Sequence, residues 1–98
     1  MIVVRNVFRL KFGAAKEAKA VMKEGQEFLN SMGAIEHRVC TDVTGPFYTM
    51  VLENTWESLG GFEAALGNMG KDPKWQAWYA KFSAHVESGY REIFSIVS

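Results

Sequence analysis

The sequence is poor in several features that mark particular classes of protein. Cys40 is the single cysteine among 98 residues, so no disulfide can form within the chain, and a reducing compartment is indicated. Eleven Lys and Arg balance eleven Asp and Glu, and without a basic surplus nucleic-acid binding is not expected. The chain contains neither a CxxC nor an HExxH motif, and we predict no metal site.

Long apolar runs are also missing. No stretch approaches the length of a membrane span, and Met1–Arg5 is too short and too soon charged for a signal peptide. Apolar residues nevertheless make up 48% of the chain, enough for a real core in a protein of this length. We therefore predict one domain over residues 1–98, located in the cytoplasm.

Periodicity divides the chain into six elements. Residues 2–12, 34–42 and 46–56 alternate between two sets of side chains and are predicted strands. Apolar residues at helical spacing predict a helix over 13–33, and a last strand is predicted over 90–97. The turn-forming segment between the second and third strands makes them a hairpin.

The second helix is predicted in two parts. Ser58 is placed to cap the first part, and Asn68–Gly70 interrupts it. Asp72–Pro73 restarts the helix, since aspartate at the N-cap and proline at the first helical position are a strong start signal, and Gly89 is predicted to end it. The order β-α-β-β-α-β predicts an α+β, ferredoxin-like fold, with both helices on one face of a four-stranded antiparallel sheet.

Polar and aromatic residues on predicted inner faces are candidates for a ligand site between sheet and helices. Asn6 interrupts the apolar face of the first strand, either as a hydrogen-bonded core residue or as a ligand contact. His37 is either packed or able to titrate near neutral pH in a pocket. Tyr48 and Trp56 share one parity of the third strand, and Tyr79 belongs to an aromatic stripe of the second helix.

Two segments carry a family resemblance, Glu53-Asn-Thr-Trp-Glu-Ser58 and Asp72-Pro-Lys-Trp-Gln-Ala-Trp78. Together with the topology they resemble the dimeric α/β-barrel superfamily, and within it the NIPSNAP-like group. The first segment is also similar to a corner of the antibiotic biosynthesis monooxygenases. The resemblance implies a dimeric α/β barrel, with chemistry that differs among members.

Two functions are compatible with this resemblance. The first hypothesis is a protein of NIPSNAP-like type that binds a small organic molecule without catalysis. The alternative is a cofactor-free monooxygenase or isomerase acting on a planar aromatic or quinone-like substrate. In that case His37 is the candidate base, Asn6 a donor to a developing oxyanion, and Trp56 a stacking surface.

Haem is a third possibility, because haem-degrading members of the superfamily resemble this chain at Asn6 and Trp56. Those members place an iron-binding histidine on the second helix, whereas the comparable segment here, Trp75–Tyr79, contains none. We therefore expect no cofactor.

The sheet face without helices is expected to be a homodimer interface. Its predicted apolar residues are too many to stay in water, and Arg5, Arg9, Glu53 and Arg91 are predicted to provide charges of both signs around them. The predicted apolar set is Val3, Val7, Val51, Ile93 and Val97.

Overall fold

Four strands and four helices make up the fold. The computed structural model describes residues 1–98, the whole chain. In chain order the elements are β1 (Ile2–Leu10), α1 (Ala15–Glu24), α2 (Gln26–Ser31), β2 (Glu36–Thr41), β3 (Thr49–Trp56), α3 (Leu59–Met69), α4 (Pro73–Ser83) and β4 (Val86–Ser95). The strands form one antiparallel sheet in the order β2-β3-β1-β4. This order confirms the predicted ferredoxin-like fold.

The broken second helix is confirmed, and both predicted start signals are used. Oγ of Ser58 accepts a hydrogen bond from the amide of Gly61 at 3.1 Å, and Oδ1 of Asp72 accepts one from the amide of Lys74 at 2.9 Å. Pro73 occupies the first turn of α4, where its missing N–H is not needed. None of the helices has the length and hydropathy that crossing a membrane would require.

The first helix is divided, contrary to the prediction of one helix over 13–33. α1 ends at Glu24, and α2 follows after Gly25. A Cβ atom on Gly25 would overlap the indole ring of Trp78, so only glycine allows this close approach. The indole N–H of Trp78 donates to the carbonyl oxygen of Val21 at 2.7 Å. The break between α1 and α2 therefore lies where Trp78 of α4 packs against them.

The core lies between the helices and one face of the sheet, which we term the helix side. Val4 and Leu10 of β1 are fully buried there, as is Met50 of β3, and Leu52 of β3 is buried beside them. This confirms the apolar face predicted for β1 as far as Leu10, whereas Phe12, predicted on the same face, lies beyond the strand and is 88% exposed. The larger core cluster adds residues from α1, α2 and α4: Ala18, Val21, Met22, Leu29, Trp78 and Phe82.

Several strand ends differ from the predicted ones. β1 ends at Leu10, before a turn in which Gly13 has a φ of 82°, and β2 begins at Glu36. The last helix ends at Ser83, and β4 already begins three residues later. Gly89, predicted to close that helix, instead pairs with β1 inside the strand. β4 begins earlier than predicted because its first residues pair with β1. A pairing between segments distant in sequence cannot be read from the local pattern.

Pairing also fixes which residues of β4 face the helices. Arg91 pairs with Asn6, and Ile93 pairs with Val4, so both lie on the helix side. Their predicted place on the helix-free face is wrong. Both alternating sets of this strand contain apolar and charged residues, so parity alone could not choose between the two faces. Val97, predicted on the same face, lies beyond the strand.

The opposite face, which we term the helix-free face, carries a row of alternating charges across all four strands. Nη2 of Arg38 lies 2.6 Å from Oε1 of Glu53. Nε of Arg5 lies 3.2 Å from the same glutamate, and its Nη1 lies 3.3 Å from Oε2 of Glu92. The hydrogen bond to Glu53 raises the pKa of Arg38. By strand pairing, apolar side chains flank this charge row: Val3, Val7, Val51, Tyr90 and Phe94.

Candidate functional site

A cavity of about 100 Å³ lies between the helix side of the sheet and the helices. Its walls are mainly apolar and come from every helix as well as from β1, β3 and β4. The apolar residues include Phe8, Met22, Leu29, Met32, Leu52, Phe62, Leu66, Met69, Trp75, Trp78 and Phe82. Four polar residues complete the lining: Asn6, Asn54, Tyr79 and Arg91. We refer to this space as the central cavity.

Asn6 and Arg91 form one polar edge of the central cavity. They are cross-strand partners on β1 and β4, and Nε of Arg91 donates to Oδ1 of Asn6 at 2.7 Å. The guanidinium carbon of Arg91 also lies 5.2 Å from the centre of the Phe62 ring, a cation–π contact. No carboxylate lies within 4.0 Å of this arginine. Its terminal nitrogens are therefore free to bind an acceptor.

Asn54 is a second polar wall residue and is buried on β3. Its Oδ1 accepts a hydrogen bond of 2.6 Å from the indole Nε1 of Trp56. An indole N–H can only donate, so this contact assigns the carbonyl oxygen of Asn54 to Trp56. The side-chain amide nitrogen is left to donate toward the cavity.

Each asparagine thus has its carbonyl oxygen engaged by a donor of the protein. The side-chain groups that have no hydrogen-bond partner are the amide nitrogens of Asn6 and Asn54 and the terminal nitrogens of Arg91, all of which are donors. The Tyr79 hydroxyl can donate or accept. No Asp, Glu or His lines the cavity. This set suits a ligand oxygen that accepts hydrogen bonds, such as a carboxylate or an enolate, and it supplies no base.

An open groove of about 320 Å³ adjoins the central cavity along β4. The two spaces share Asn6, Phe8, Tyr79 and Arg91 as walls. α4 contacts β4, but most residues of β4, including Arg91, stay exposed. We call this groove the vestibule. A molecule entering through it would meet the polar edge first and the apolar cavity behind.

Two of the five predicted site residues line the central cavity. Asn6 lies on the helix side as predicted, and Tyr79 stands at the boundary with the vestibule, stacked on Trp75 with ring centroids 4.9 Å apart. Trp56 does not reach the cavity. Its ring is buried edge-on against Phe62, with centroids 5.5 Å apart. Trp56 acts on the site through its hydrogen bond to Asn54 and offers a ligand no stacking surface there.

The other two predicted residues lie elsewhere. His37 pairs with Asn54 across β2 and β3 and so takes the helix side, which the sequence left open. Its Nε2 donates to Oδ1 of Asn30 at 3.1 Å at the sheet edge, outside the central cavity. Tyr48 precedes β3 and lines a separate pocket at the hairpin end of the sheet. The five predicted site residues therefore lie in four places: the central cavity, the core beside Phe62, the sheet edge and the pocket at the hairpin end.

Sequence reasoning missed Asn54 and Arg91. Asn54 carried the same signal as Asn6, since it is a polar residue between Leu52 and Trp56 on an apolar parity. For Arg91 no comparable signal existed, because only pairing with Asn6 places it at the cavity.

The structure contains no group of three or more His, Cys, Asp or Glu side chains that could hold a metal ion.

No family model matches the chain, and no curated protein sequence matches it. Solved structures do. An uncharacterised NIPSNAP domain protein from Burkholderia xenovorans superimposes with a TM-score of 0.90 at 18% identity, covering 100% of this chain and 96% of its own. A NIPSNAP family protein of unknown function from Agrobacterium tumefaciens gives 0.89 at 24% identity, covering 96% and 86%. The chain has the fold of the NIPSNAP proteins.

The NIPSNAP fold is shared with enzymes. SnoaB, a cofactor-independent oxygenase from Streptomyces nogalater, superimposes on this chain with a TM-score of 0.77 at 17% identity, covering 99% of this chain and 93% of its own. The sequence was expected to resemble NIPSNAP proteins and antibiotic biosynthesis monooxygenases, and structures described under both names share its fold. Identities this low establish the fold alone.

Proposed function

We propose that this NIPSNAP-like protein binds a small organic molecule between its sheet and its helices, with an apolar ring inside the central cavity and an accepting oxygen at Arg91. One observation carries the proposal. The polar edge of an otherwise apolar cavity offers mainly donors, because the carbonyl oxygens of Asn6 and Asn54 are already engaged. Hydrogen bonds to a charged partner are worth about 1.5–3 kcal/mol each, so an anionic oxygen would bind best.

The sizes of the two spaces limit the ligand. The central cavity of about 100 Å³ is somewhat smaller than the ~150 Å³ cavities that hold a benzene ring. A single ring can therefore enter only partly or with a small shift of the Tyr79 side chain, which is exposed. The rest of the molecule would occupy the vestibule of about 320 Å³. These dimensions favour one or two rings.

A panel of matched aromatic probes tests this proposal. Benzoate, benzyl alcohol and benzylamine share a ring and differ in the charge of the attached group. We expect benzoate to bind best and benzylamine worst, with amide NMR shifts at Asn6, Asn54 and Arg91. Benzylamine binding as tightly as benzoate, or shifts confined to other residues, would reject the proposed site.

A second candidate is a cofactor-free oxygenase or isomerase that acts on a planar, acidic substrate. The same donors would stabilise an ionised phenolate or enolate oxygen and so lower the pKa of the bound substrate. SnoaB shares the fold and is a cofactor-independent oxygenase. His37, the base proposed from the sequence, lies outside the cavity, so the substrate would have to enter already ionised. Oxygen uptake with dihydroxynaphthalene, abolished in Arg91→Met, would favour this candidate.

We further propose that two copies associate through the helix-free face. Apolar side chains flank the charge row there, and Phe94 and Tyr90 are at least half exposed. Covering several hundred Å² of such surface on each copy gives a gross gain above ~10 kcal/mol, which association costs partly offset. The charge row contains two arginines and two glutamates, so a two-fold partner can match it without net repulsion.

We also propose a cytoplasmic location. Cys40 is exposed and has no second cysteine in the chain with which to form a disulfide, and unpaired thiols are typical of reducing compartments. Fluorescence microscopy of a tagged chain would test this placement, and accumulation outside the cytoplasm would oppose it.

A further inference from the structure

A second pocket lies at the end of the sheet where β2 turns into β3. Its volume is about 380 Å³, within the range of roughly 300–1,000 Å³ that is typical of ligand sites. It shares no lining residue with the central cavity or the vestibule. We term it the hairpin pocket. The function proposed above makes no use of it.

Aromatic rings form most of the apolar wall of the hairpin pocket. The rings of Phe12 and Tyr48 meet edge to face, with centroids 4.9 Å apart. Phe12 is 88% exposed, and Phe47, which also lines the pocket, is 72% exposed. Tyr48 has a φ of 60°, a backbone conformation that is rare for bulky residues. A flat ligand between these rings would remove both phenylalanines from water.

Two opposite charges face the same space from different elements. Lys19 reaches it from α1 and has no carboxylate within 4.0 Å. Asp42 follows β2, and its Oδ1 accepts a hydrogen bond from the amide of Thr49 at 2.9 Å. The second carboxylate oxygen of Asp42 keeps its capacity to accept. The hairpin pocket thus presents one ammonium group, one carboxylate oxygen and three aromatic rings.

We propose that the hairpin pocket binds a free aromatic α-amino acid. The ring of the ligand would lie among Phe12, Phe47 and Tyr48, since aromatic rings attract one another in offset and edge-on contacts. Its carboxylate would meet the ammonium group of Lys19, and its ammonium group would meet Asp42. A zwitterion can pair with both charged groups at once. A simple anion would leave Asp42 without an opposite charge, and a simple cation would leave Lys19 without one.

The test compares L-phenylalanine with two analogues that each lack one charge, phenylacetate and phenethylamine. Residue-resolved amide NMR shows both affinity and location. We expect L-phenylalanine to shift Lys19, Asp42 and Phe47 and to bind about tenfold more tightly than either analogue, since a charged hydrogen bond is worth at least one factor of ten. Equal affinities for the three probes, no binding, or shifts only at Asn6 and Arg91 would overturn the proposal.

Matched variants separate the two charges. Lys19→Met should weaken L-phenylalanine and phenylacetate about tenfold and leave phenethylamine unchanged. Asp42→Asn keeps an acceptor for the Thr49 amide and should weaken L-phenylalanine and phenethylamine by a similar factor. Lys16→Met removes an exposed lysine of α1 that does not line the pocket, and it should change nothing. An equal loss in Lys16→Met and Lys19→Met would contradict the assigned contact.

Discussion

Nε of Arg91 donates to Oδ1 of Asn6 across 2.7 Å, joining two of the four polar residues that line the central cavity. The pair lies on neighbouring strands at directly opposed positions, so the sheet itself holds its geometry. Because Arg91 donates to the carbonyl oxygen of Asn6, the amide nitrogen is the group of Asn6 that has no partner. The proposed preference for a ligand that accepts hydrogen bonds rests on this arrangement.

The contact between Gly25 and Trp78 predicts a large effect for a small substitution. In Gly25→Ala the new Cβ would overlap the indole ring of Trp78. Either α4 must then shift, or the hydrogen bond from the indole of Trp78 to the carbonyl oxygen of Val21 must lengthen. We expect a loss of about 1–3 kcal/mol of unfolding free energy, measured by urea denaturation. Gly67→Ala, where a Cβ meets nothing within 4 Å, should be neutral or stabilise by up to about 1 kcal/mol. Equal effects of the two substitutions would contradict this packing account.

Gly25 also marks a feature of the fold that the sequence alone could not predict. The apolar pattern continues through Gly25 to Phe28 and Leu29, so local periodicity favours one unbroken helix. Only the approach of Trp78, distant in sequence, explains the break. By contrast, Ser58 and Asp72 act on backbone groups two or three residues away, and their effect could be predicted locally.

The same distinction between local signals and contacts distant in sequence applies to the site. Asn6 was recognisable because it interrupts an apolar parity of its own strand. Arg91 was not, because its face depends on pairing between β1 and β4, which join opposite ends of the chain. His37, Tyr48 and Trp56 were grouped on local grounds, and the tertiary structure separates them from the cavity.

The hydrogen bond between Asn54 and Trp56 predicts coupling in a double-mutant cycle. Asn54→Leu leaves the buried indole N–H without an acceptor, and Trp56→Phe leaves the Asn54 oxygen without a donor; each loss costs about 1–3 kcal/mol. The double variant should be more stable than the sum of the single effects predicts, by about 1 kcal/mol. Pairing Asn54→Leu with Asp72→Ala, which shares no contact with it, should give additive free energies. Additivity in both cycles would mean that the hydrogen bond contributes nothing measurable.

Dimerisation is predicted to depend on the helix-free face. Light scattering across a dilution series should report twice the chain mass at tens of micromolar. Val7→Asp or Val51→Asp would place a carboxylate among apolar side chains and beside the charge row, and should give monomers. Val43→Asp, at an exposed turn, should leave the mass unchanged. A wild-type chain that stays monomeric would defeat the proposal, and a dimer indifferent to both substitutions would place the interface elsewhere.

Haem is not expected to bind tightly. The segment Trp75–Tyr79 of α4 contains no histidine that could bind the iron, and the ring of Tyr79 is stacked on Trp75. Titration with hemin at micromolar concentration should therefore give no stable shift of the Soret band. A tight one-to-one complex would reverse this expectation and reopen a haem function.

The affinity for benzoate in Arg91→Met tests the central claim most directly. Methionine keeps much of the apolar length of arginine and removes the terminal donors. We predict that benzoate binding, followed by amide shifts at Asn6 and Asn54, weakens about tenfold or more in this variant. Arg9→Met, which removes an exposed arginine that does not line the cavity, should bind benzoate as the wild type does. Unchanged affinity in Arg91→Met, or an equal loss in both variants, would contradict the account.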